Sequence, residues 1–327
     1  MDRTHIKDGG VNANLKPIPK RTRTRQELVH KLMFLLTNHS FRGIGLVKRI
    51  VSKLLLPKPE GLTICPTVYG FDLIVNPVID KGIERTIYYE GSYEAGTILV
   101  MEKCLRMDDI FIDVGSNIGL MSLAASKFVG RNGKVWSFEP EPEIFSILQQ
   151  NIEINKASNI GAMSIALGSE KGKALIYNNL EINRASASLL KPPEDVQGKE
   201  VLIETLDEVV DKIINIEYKK PIRMLKIDVE GWELEVVKGA KRLLSSPRAP
   251  ILCIEYSNLH ATYKGQLLDI YNFLKTVNNY HILKLEKSKE RPSKLVRIEN
   301  PAELPFHDNI FCFLPSHLEG LPRNMFD

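Results

Sequence analysis

Beyond residue 110, short apolar runs alternate with amphipathic stretches, and this alternation predicts a parallel sheet with crossover helices. Strands are expected at 110–114 (Ile-Phe-Ile-Asp-Val), 134–138 (Lys-Val-Trp-Ser-Phe), Ile160–Leu167, Pro221–Asp228 and Pro250–Glu255. Helices are expected at 117–129, Glu141–Asn155 (with Phe145, Leu148 and Ile152 on one face), Leu206–Ile214, Trp232–Leu244 and Ala261–Asn278. His281–Leu285 and Ile310–Leu314 close the pattern, in an order that permits an antiparallel edge pair. Gly172–Tyr177 reads as an edge strand, and the polar stretch Asn178–Lys199 as a long loop. A loop of that length inside a domain tends to be functional or disordered; a substrate-facing loop is the preferred reading over plain disorder, which makes Asn183, Ser186 and Ser188 candidate substrate contacts.

Upstream, Leu62–Val75 alternates with period two around Tyr69-Gly70, the signature of a hairpin. Residues 82–96 lead into a helix at Thr97–Leu105, with Tyr93 and Glu94 just before it. Leu28–Leu56 has apolar residues at helical spacing and Lys31, Arg42, Lys48, Arg49 and Lys53 between them. A basic amphipathic segment of this kind either packs on the main domain, the preferred reading, or makes peripheral contact with a membrane. Met1–Glu27 is polar and basic and carries Pro17 and Pro19, which suggests a disordered tail. The expected organisation is therefore a basic tail (1–27), an amphipathic helical extension (28–60) and a main domain (61–327).

Charge narrows the function. The net charge of +4 is accounted for by residues 1–27, where seven Lys/Arg face three Asp/Glu; from Leu28 onward, 37 basic and 37 acidic residues balance. A main domain without basic excess is not expected to bind nucleic acid. Cys65, Cys104, Cys253 and Cys312 are widely spaced, with no C-x-x-C. They read as free thiols in a reducing, cytoplasmic setting and not as zinc ligands. No run reaches the roughly 18 apolar residues of a membrane span, and no apolar core follows the first basic residues as it would in a signal peptide.

The candidate chemistry centres on 110–119. An apolar strand enters Asp113, a tight turn with Gly115 follows, and Gly119 opens a helix; in open α/β sheets a ligand sits outside such strand ends. The next strand ends at Glu139, placed to accept two hydrogen bonds from a ribose diol. A dinucleotide needs G-x-G-x-x-G, and aligned on Gly119 the first two positions are Val114 and Ser116. An acid opening the loop repels a pyrophosphate but pairs with the ammonium of an amino-acid cofactor. S-adenosylmethionine is therefore preferred over NAD. Glu94 is a candidate to close over the amino-acid end, the alternative being a helix N-terminal acid facing the dipole. Ile165 and Ala166, at the end of the third strand, are candidates for the adenine wall.

Phe111–Gly119, Ser137–Pro140 (Ser-Phe-Glu-Pro), Ala166–Gly168, Thr205-Leu206-Asp207 and Leu225–Gly231 (Leu-Lys-Ile-Asp-Val-Glu-Gly), with Gly91-Ser-Tyr-Glu94 upstream, together resemble the FkbM-type S-adenosylmethionine-dependent methyltransferases. The resemblance covers roughly Gly70–Pro315. It implies an α/β class I methyltransferase (Rossmann-like) fold, a seven-stranded mostly parallel sheet with helices on both faces, here with an N-terminal helical and hairpin extension. It also implies O-methylation of a hydroxyl on a sugar, glycan or related small molecule. By resemblance, Asp113, Gly115, Ser116, Asn117 and Gly119 line the methionine part of the cofactor, Glu139 binds the ribose and Ala166 borders the adenine. Ser116 stands where Ala is frequent in the family.

A hydroxyl nucleophile must lose its proton, so a base or a metal is needed. Asp228, at the end of the fourth strand, is the expected base or orienting carboxylate, with Glu255 and Glu230 next. Paired carboxylates there can share a proton or hold a hydrated divalent cation. No Asp-Asn pair or His cluster completes a metal site, and none is expected. The competing role for Asp228 is a helix cap. Lys226 is a candidate buried partner of these acids, and His260 a candidate within reach of the cleft. A second functional reading is a catalytically weak cofactor-binding subunit that docks to a membrane or protein through 28–56.

Overall fold

The computed structural model describes residues 20–37, 44–177, 187–190, 197–214, 220–257 and 267–326. Two helices come first, α1 (Lys20–Thr37) and α2 (Ile44–Leu55). Residues 20–27 are thus helical, which corrects the expected tail boundary. Arg23 supplies one reason: its guanidinium forks onto Asp72 at 2.8 Å and reaches Glu27 one turn on, anchoring the first turns of α1. The hairpin β1 (Thr63–Pro66) and β2 (Asp72–Val75) follows, in antiparallel register as its alternation predicts.

The next helix, α3 (Ile83–Glu90), has no counterpart in the sequence reading, because its eight residues carry too short a periodic stretch to announce it. It ends at Gly91 in the left-handed region, and α4 (Ala95–Cys104) begins four residues later. The alternating part then runs β3 (Ile110–Val114), α5 (Leu120–Val129), β4 (Lys134–Phe138), α6 (Pro142–Ile154) and β5 (Ile160–Met163). Glu141 caps α6 by accepting from Ile144 N–H, and Pro142 fits the first turn.

The expected strand Ile160–Leu167 is split. Its end forms β6 (Ala166–Leu167), which leaves the main sheet for a second one of three strands, β6-β8-β7, with β7 (Gly172–Ile176) and β8 (Lys199–Glu204). After α7 (Leu206–Val209), which Thr205 caps, the chain gives β9 (Ile222–Ile227), α8 (Glu233–Lys238), α9 (Lys241–Leu244), β10 (Ile251–Ser257), α10 (Leu267–Val277), β11 (His281–Leu285), β12 (Leu295–Arg297), β13 (His307–Phe313) and α11 (Pro315–Leu318). The helix expected over Trp232–Leu244 breaks at Gly239, which lies so close to Gly168 that an added Cβ would fall 1.9 Å from its carbonyl oxygen.

The main sheet has the order β12-β11-β13-β10-β9-β3-β4-β5. From β10 to β5 all neighbours are parallel, while β13 runs antiparallel between β10 and β11. The sheet has eight strands and not seven; the extra one, β12, is three residues long and pairs at the β11 edge. Apolar side chains cover both faces. One cluster gathers Phe111, Leu123, Val135, Ile144 and Phe311, and the other Ile112, Trp136, Leu225, Val237 and Leu274. Burial on both faces explains why these strands read as continuous apolar runs.

Candidate active site

The carboxyl ends of β3, β4, β9 and β10 converge on a cavity of about 330 Å3. The strand order reverses direction of winding at β3 and β9, where α/β sheets open a crevice. Asp113 is fully buried in β3; its Oδ2 accepts from Ser122 Oγ at 2.5 Å, and Ser122 in turn meets Ser137 Oγ at 2.7 Å. Asp113 Oδ1 has no hydrogen-bond partner among the described residues, although Asp113 lines the cavity. Burial raises the Asp113 pKa, against the opposing pull of Lys226.

Gly115 makes the turn possible. Its φ is +79°, and an added Cβ would lie 1.8 Å from the Asp228 carbonyl oxygen. The loops after β3 and β9 therefore touch through backbone, which brings Asp113 and Asp228 to one wall. Ser116 Oγ donates to Asp113 O, so its hydroxyl braces the loop. Asn117, at φ +48°, donates its backbone N–H to Glu139 Oε2 at 2.9 Å, and Glu139 Oε1 accepts from Glu141 N–H at 3.0 Å. Glu139 is thus clamped between two loops. Burial pushes its pKa up to about 7 despite those two donors. Ala166 is buried and lines the cavity with Ile165 and Leu167.

Around Asp228 the wall is acidic. Asp228 Oδ2 accepts from the buried Lys226 at 2.7 Å. Burial would raise the Asp228 pKa, but Lys226 and Lys289 outweigh it and hold the carboxyl below its ordinary value. Asp228 is not the cap of α8, whose N-cap position is Trp232 with no side-chain cap bond; the loop between is braced by Glu233, whose Oε1 accepts from Val229 N–H and Gly231 N–H, both at 3.1 Å. Glu230 and Glu255 each place a carboxylate oxygen within 4.8 Å of one on Asp228. Burial and then the Asp228 charge raise Glu230 to about 8 and Glu255 well above the carboxylate range. Beside an ionised Asp228, the other two acids are therefore biased toward their neutral forms at neutral pH. Three acids this close could also hold a cation, with Lys226 and Lys289 already balancing part of their charge.

Several site residues escape a sequence reading. Lys289, from the turn after β11, is buried with Nζ 2.7 Å from Glu255 Oε1 and 3.0 Å from Glu94 Oε1. Glu94, in the left-handed conformation, also accepts from Asn309 Nδ2 at 2.9 Å. His307, on β13, lines the cavity 3.7 Å from Glu255 Oε1, and Tyr93 and Trp232 line it as well. None of Lys289, His307 or Asn309 sits in a motif; topology brings them in from the last strands. Of the expected substrate contacts, Ser188 lies beside the cavity, its Oγ donating to Glu230 O at 2.8 Å, while Ala187 and Leu189 line the wall itself. Asn183, Ser186 and His260 lie outside the described residues.

An open α/β sheet with this strand order, an antiparallel strand inserted between β10 and β11 and an acid-rimmed glycine turn at its switch point defines a class I methyltransferase. The chain belongs to the FkbM methyltransferase family: the family model described as the methyltransferase FkbM domain matches residues 113–282, more than half of the chain. S-adenosylmethionine is the methyl donor of this class. Among relatives, the chain is 28% identical over 193 residues to methyltransferase 1 of Beauveria bassiana (strain ARSEF 2860), covering 52% of this chain and 72% of that protein. It is 30% identical over 139 residues to the hexuronic acid methyltransferase AglP of Haloferax volcanii, covering 42% of this chain and 53% of that protein. Among solved structures, the methyltransferase FkbM from Methylobacillus flagellatus KT matches with a TM-score of 0.39 and 19% identity, over 70% of this chain and 52% of that one.

Proposed function

We propose that the chain is an O-methyltransferase that transfers a methyl group from S-adenosylmethionine to a hydroxyl of a sugar, glycan or related small molecule. The observation that carries this reading is the Asp228 carboxylate, held ionised by Lys226 at 2.7 Å in the cavity that Asp113 and Glu139 also line. The relative named as a hexuronic acid methyltransferase supports the substrate class.

The residues present fit the cofactor. Asp113 Oδ1 is a buried acceptor without a partner among the described residues, on a side chain that lines the cavity, and a carboxylate there suits the ammonium group. The Gly115 turn leaves no side chain between backbone and ligand, and Ser116, Asn117 and Gly119 continue that wall. Glu139 retains lone pairs beyond its two backbone donors for the ribose hydroxyls. Ala166 and Ile165 offer an apolar wall for the adenine, and Glu94 closes the end where Lys289 stands. The bound cofactor supplies an electrophilic methyl on a sulfonium that leaves as a neutral thioether. Asp228 orients the acceptor hydroxyl and takes its proton as the oxygen–methyl bond forms. Glu255 and Glu230, biased toward their neutral forms, each place a carboxyl oxygen within 4.8 Å of one on Asp228 and leave it as the ionised member of the three.

Calorimetric titration with S-adenosylhomocysteine, followed by turnover assays on hydroxylated glycan acceptors, tests the assignment. Asp113→Ala should abolish measurable binding. Asp228→Asn should keep binding within about threefold and lower turnover by roughly 10²-fold or more, the usual size of a general-base contribution. Turnover of Asp228→Asn near that of the unmodified enzyme would remove the base role.

A further inference from the structure

The sequence leaves two fates open for the amphipathic segment before the hairpin, packing or membrane contact, and the structure shows that packing uses only one side of it. The inner side is fixed. Val29 and Met33 of α1 bury with Leu56 against Tyr88 of α3, and Val51 of α2 packs on the same cluster. His30, also buried, places its two ring nitrogens 2.9 Å from the carbonyl oxygens of Pro66 and Tyr88. Lys48 pairs with Glu90 on α3. These contacts set the rotation of both helices about their axes, so their outer sides are determined as well.

Those outer sides are apolar. On α1, Leu28, Leu32 and Leu35 follow one another at helical spacing and are 63%, 43% and 61% exposed. On α2, Leu46, Ile50 and Leu54 do the same at 63%, 49% and 75%. Isolated exposed leucines are ordinary, but two rows on adjoining helices are not. The segment is basic. Residues 20–56 contain nine Lys/Arg and a single acid, Glu27, while the remainder of the chain has an acidic excess of four; Arg23 and Lys48 are paired inward with Asp72 and Glu90. Arg25, Lys31 and Lys53 stand exposed beside the leucines.

We propose that this face docks on a lipid bilayer rich in anionic headgroups, with α1 and α2 lying in the interfacial plane. Apolar burial and basic attraction together are the two signals that stable peripheral attachment needs. A second copy of the chain is a poorer occupant, because it would set Arg25, Lys31 and Lys53 against the same basic residues of its partner. A nucleic-acid partner would leave the leucine rows without a role.

Sedimentation of the full chain with vesicles of phosphatidylcholine alone, and with phosphatidylglycerol added, tests the proposal. Binding should require the anionic lipid, weaken several-fold between 0.1 and 0.5 M salt, and fall by more than about tenfold in the triple variant Leu28→Gln, Leu32→Gln, Leu35→Gln. Unchanged melting temperature and circular dichroism confirm that the variant is folded. A second readout does not depend on its folding. Leu32→Cys labelled with an environment-sensitive fluorophore should shift to the blue on anionic vesicles. No binding to either vesicle, or charge-dependent binding with no blue shift, would overturn the proposal. So would a vesicle-independent dimer dissociated by the same leucine substitutions.

Discussion

At the scale of single residues, the site is a set of acids whose environments push them apart. Asp228 is held ionised by Lys226, while Glu139 is buried and raised to about 7 by desolvation. Glu139 has a consequence for binding. Its proposed role is to accept from ribose hydroxyls, which only the ionised carboxylate does with both oxygens. Below its pKa a proton competes with the ligand, so affinity for S-adenosylhomocysteine should fall as pH drops below 7, by up to about tenfold per unit. Binding near pH 6 should release a proton. Calorimetry in buffers of different ionisation enthalpy reads that proton, and Glu139→Gln should bind weakly with this pH dependence gone; a dependence that persists in the variant would assign it to another group. Asp113, Gly115, Glu139 and Asp228 were readable from sequence because each ends, or directly follows, an apolar strand in a parallel sheet. Lys289 and His307 were not. Each is an ordinary polar residue locally; β13 running antiparallel beside β10 places His307 opposite Ser257, and the turn after β11 carries Lys289 to Glu94 and Glu255.

At the scale of elements, the same distinction holds. Strands buried on both faces stand out as apolar runs, so β3, β4, β9, β10 and β11 match their expected positions within a residue or so. What escaped were elements fixed by tertiary contact. β12 has three residues and exists by pairing with β11, β6 parts from β5 to join β8, and α3 is held between α1, α2 and the hairpin. The turn between β9 and α8 is another such case. Glu230 and Gly231 both adopt positive φ, at +51° and +95°, and the turn is held by Glu233, further along the chain, which accepts from Val229 N–H and Gly231 N–H. Glu233 touches neither proposed ligand through these bonds; it is a positioning residue for Asp228 and Glu230. Glu233→Ala should therefore lower kcat about tenfold with S-adenosylhomocysteine affinity within threefold, and Glu233→Gln, which keeps an acceptor oxygen, should restore most of it. Equal loss in both variants would point to the charge and not the hydrogen bonds.

At the scale of the whole molecule, the cost of gathering these acids should appear in stability against pH. Burial raises Glu139, Glu233 and Glu290 to about 7, and burial with the Asp228 charge raises Glu230 to about 8. A carboxyl whose folded pKa lies above its unfolded value favours folding at low pH, and that contribution is lost as pH rises through the folded value. Four histidines act the other way. Burial lowers His30, His281 and His307, and lowers His317 to about 4, so their stabilising contribution is present above about 6.5 and is lost as pH falls. Between pH 4.5 and 6.5 the two sets oppose each other. Above 6.5 the histidines are already neutral, and only the acids still titrate. The ligand-free protein should therefore lose thermal stability between pH 6.5 and 8.5, by about 5 °C or more for a chain of this size. Glu230→Gln should flatten the decline by removing the group that titrates highest. Saturating S-adenosylhomocysteine should flatten it further, because its ammonium brings a positive charge into the acidic cavity. Melting curves at constant ionic strength decide the matter. A melting temperature that rises across this range would mean that the acids are already neutralised in the folded protein, most simply by a cation held among Asp228, Glu230 and Glu255.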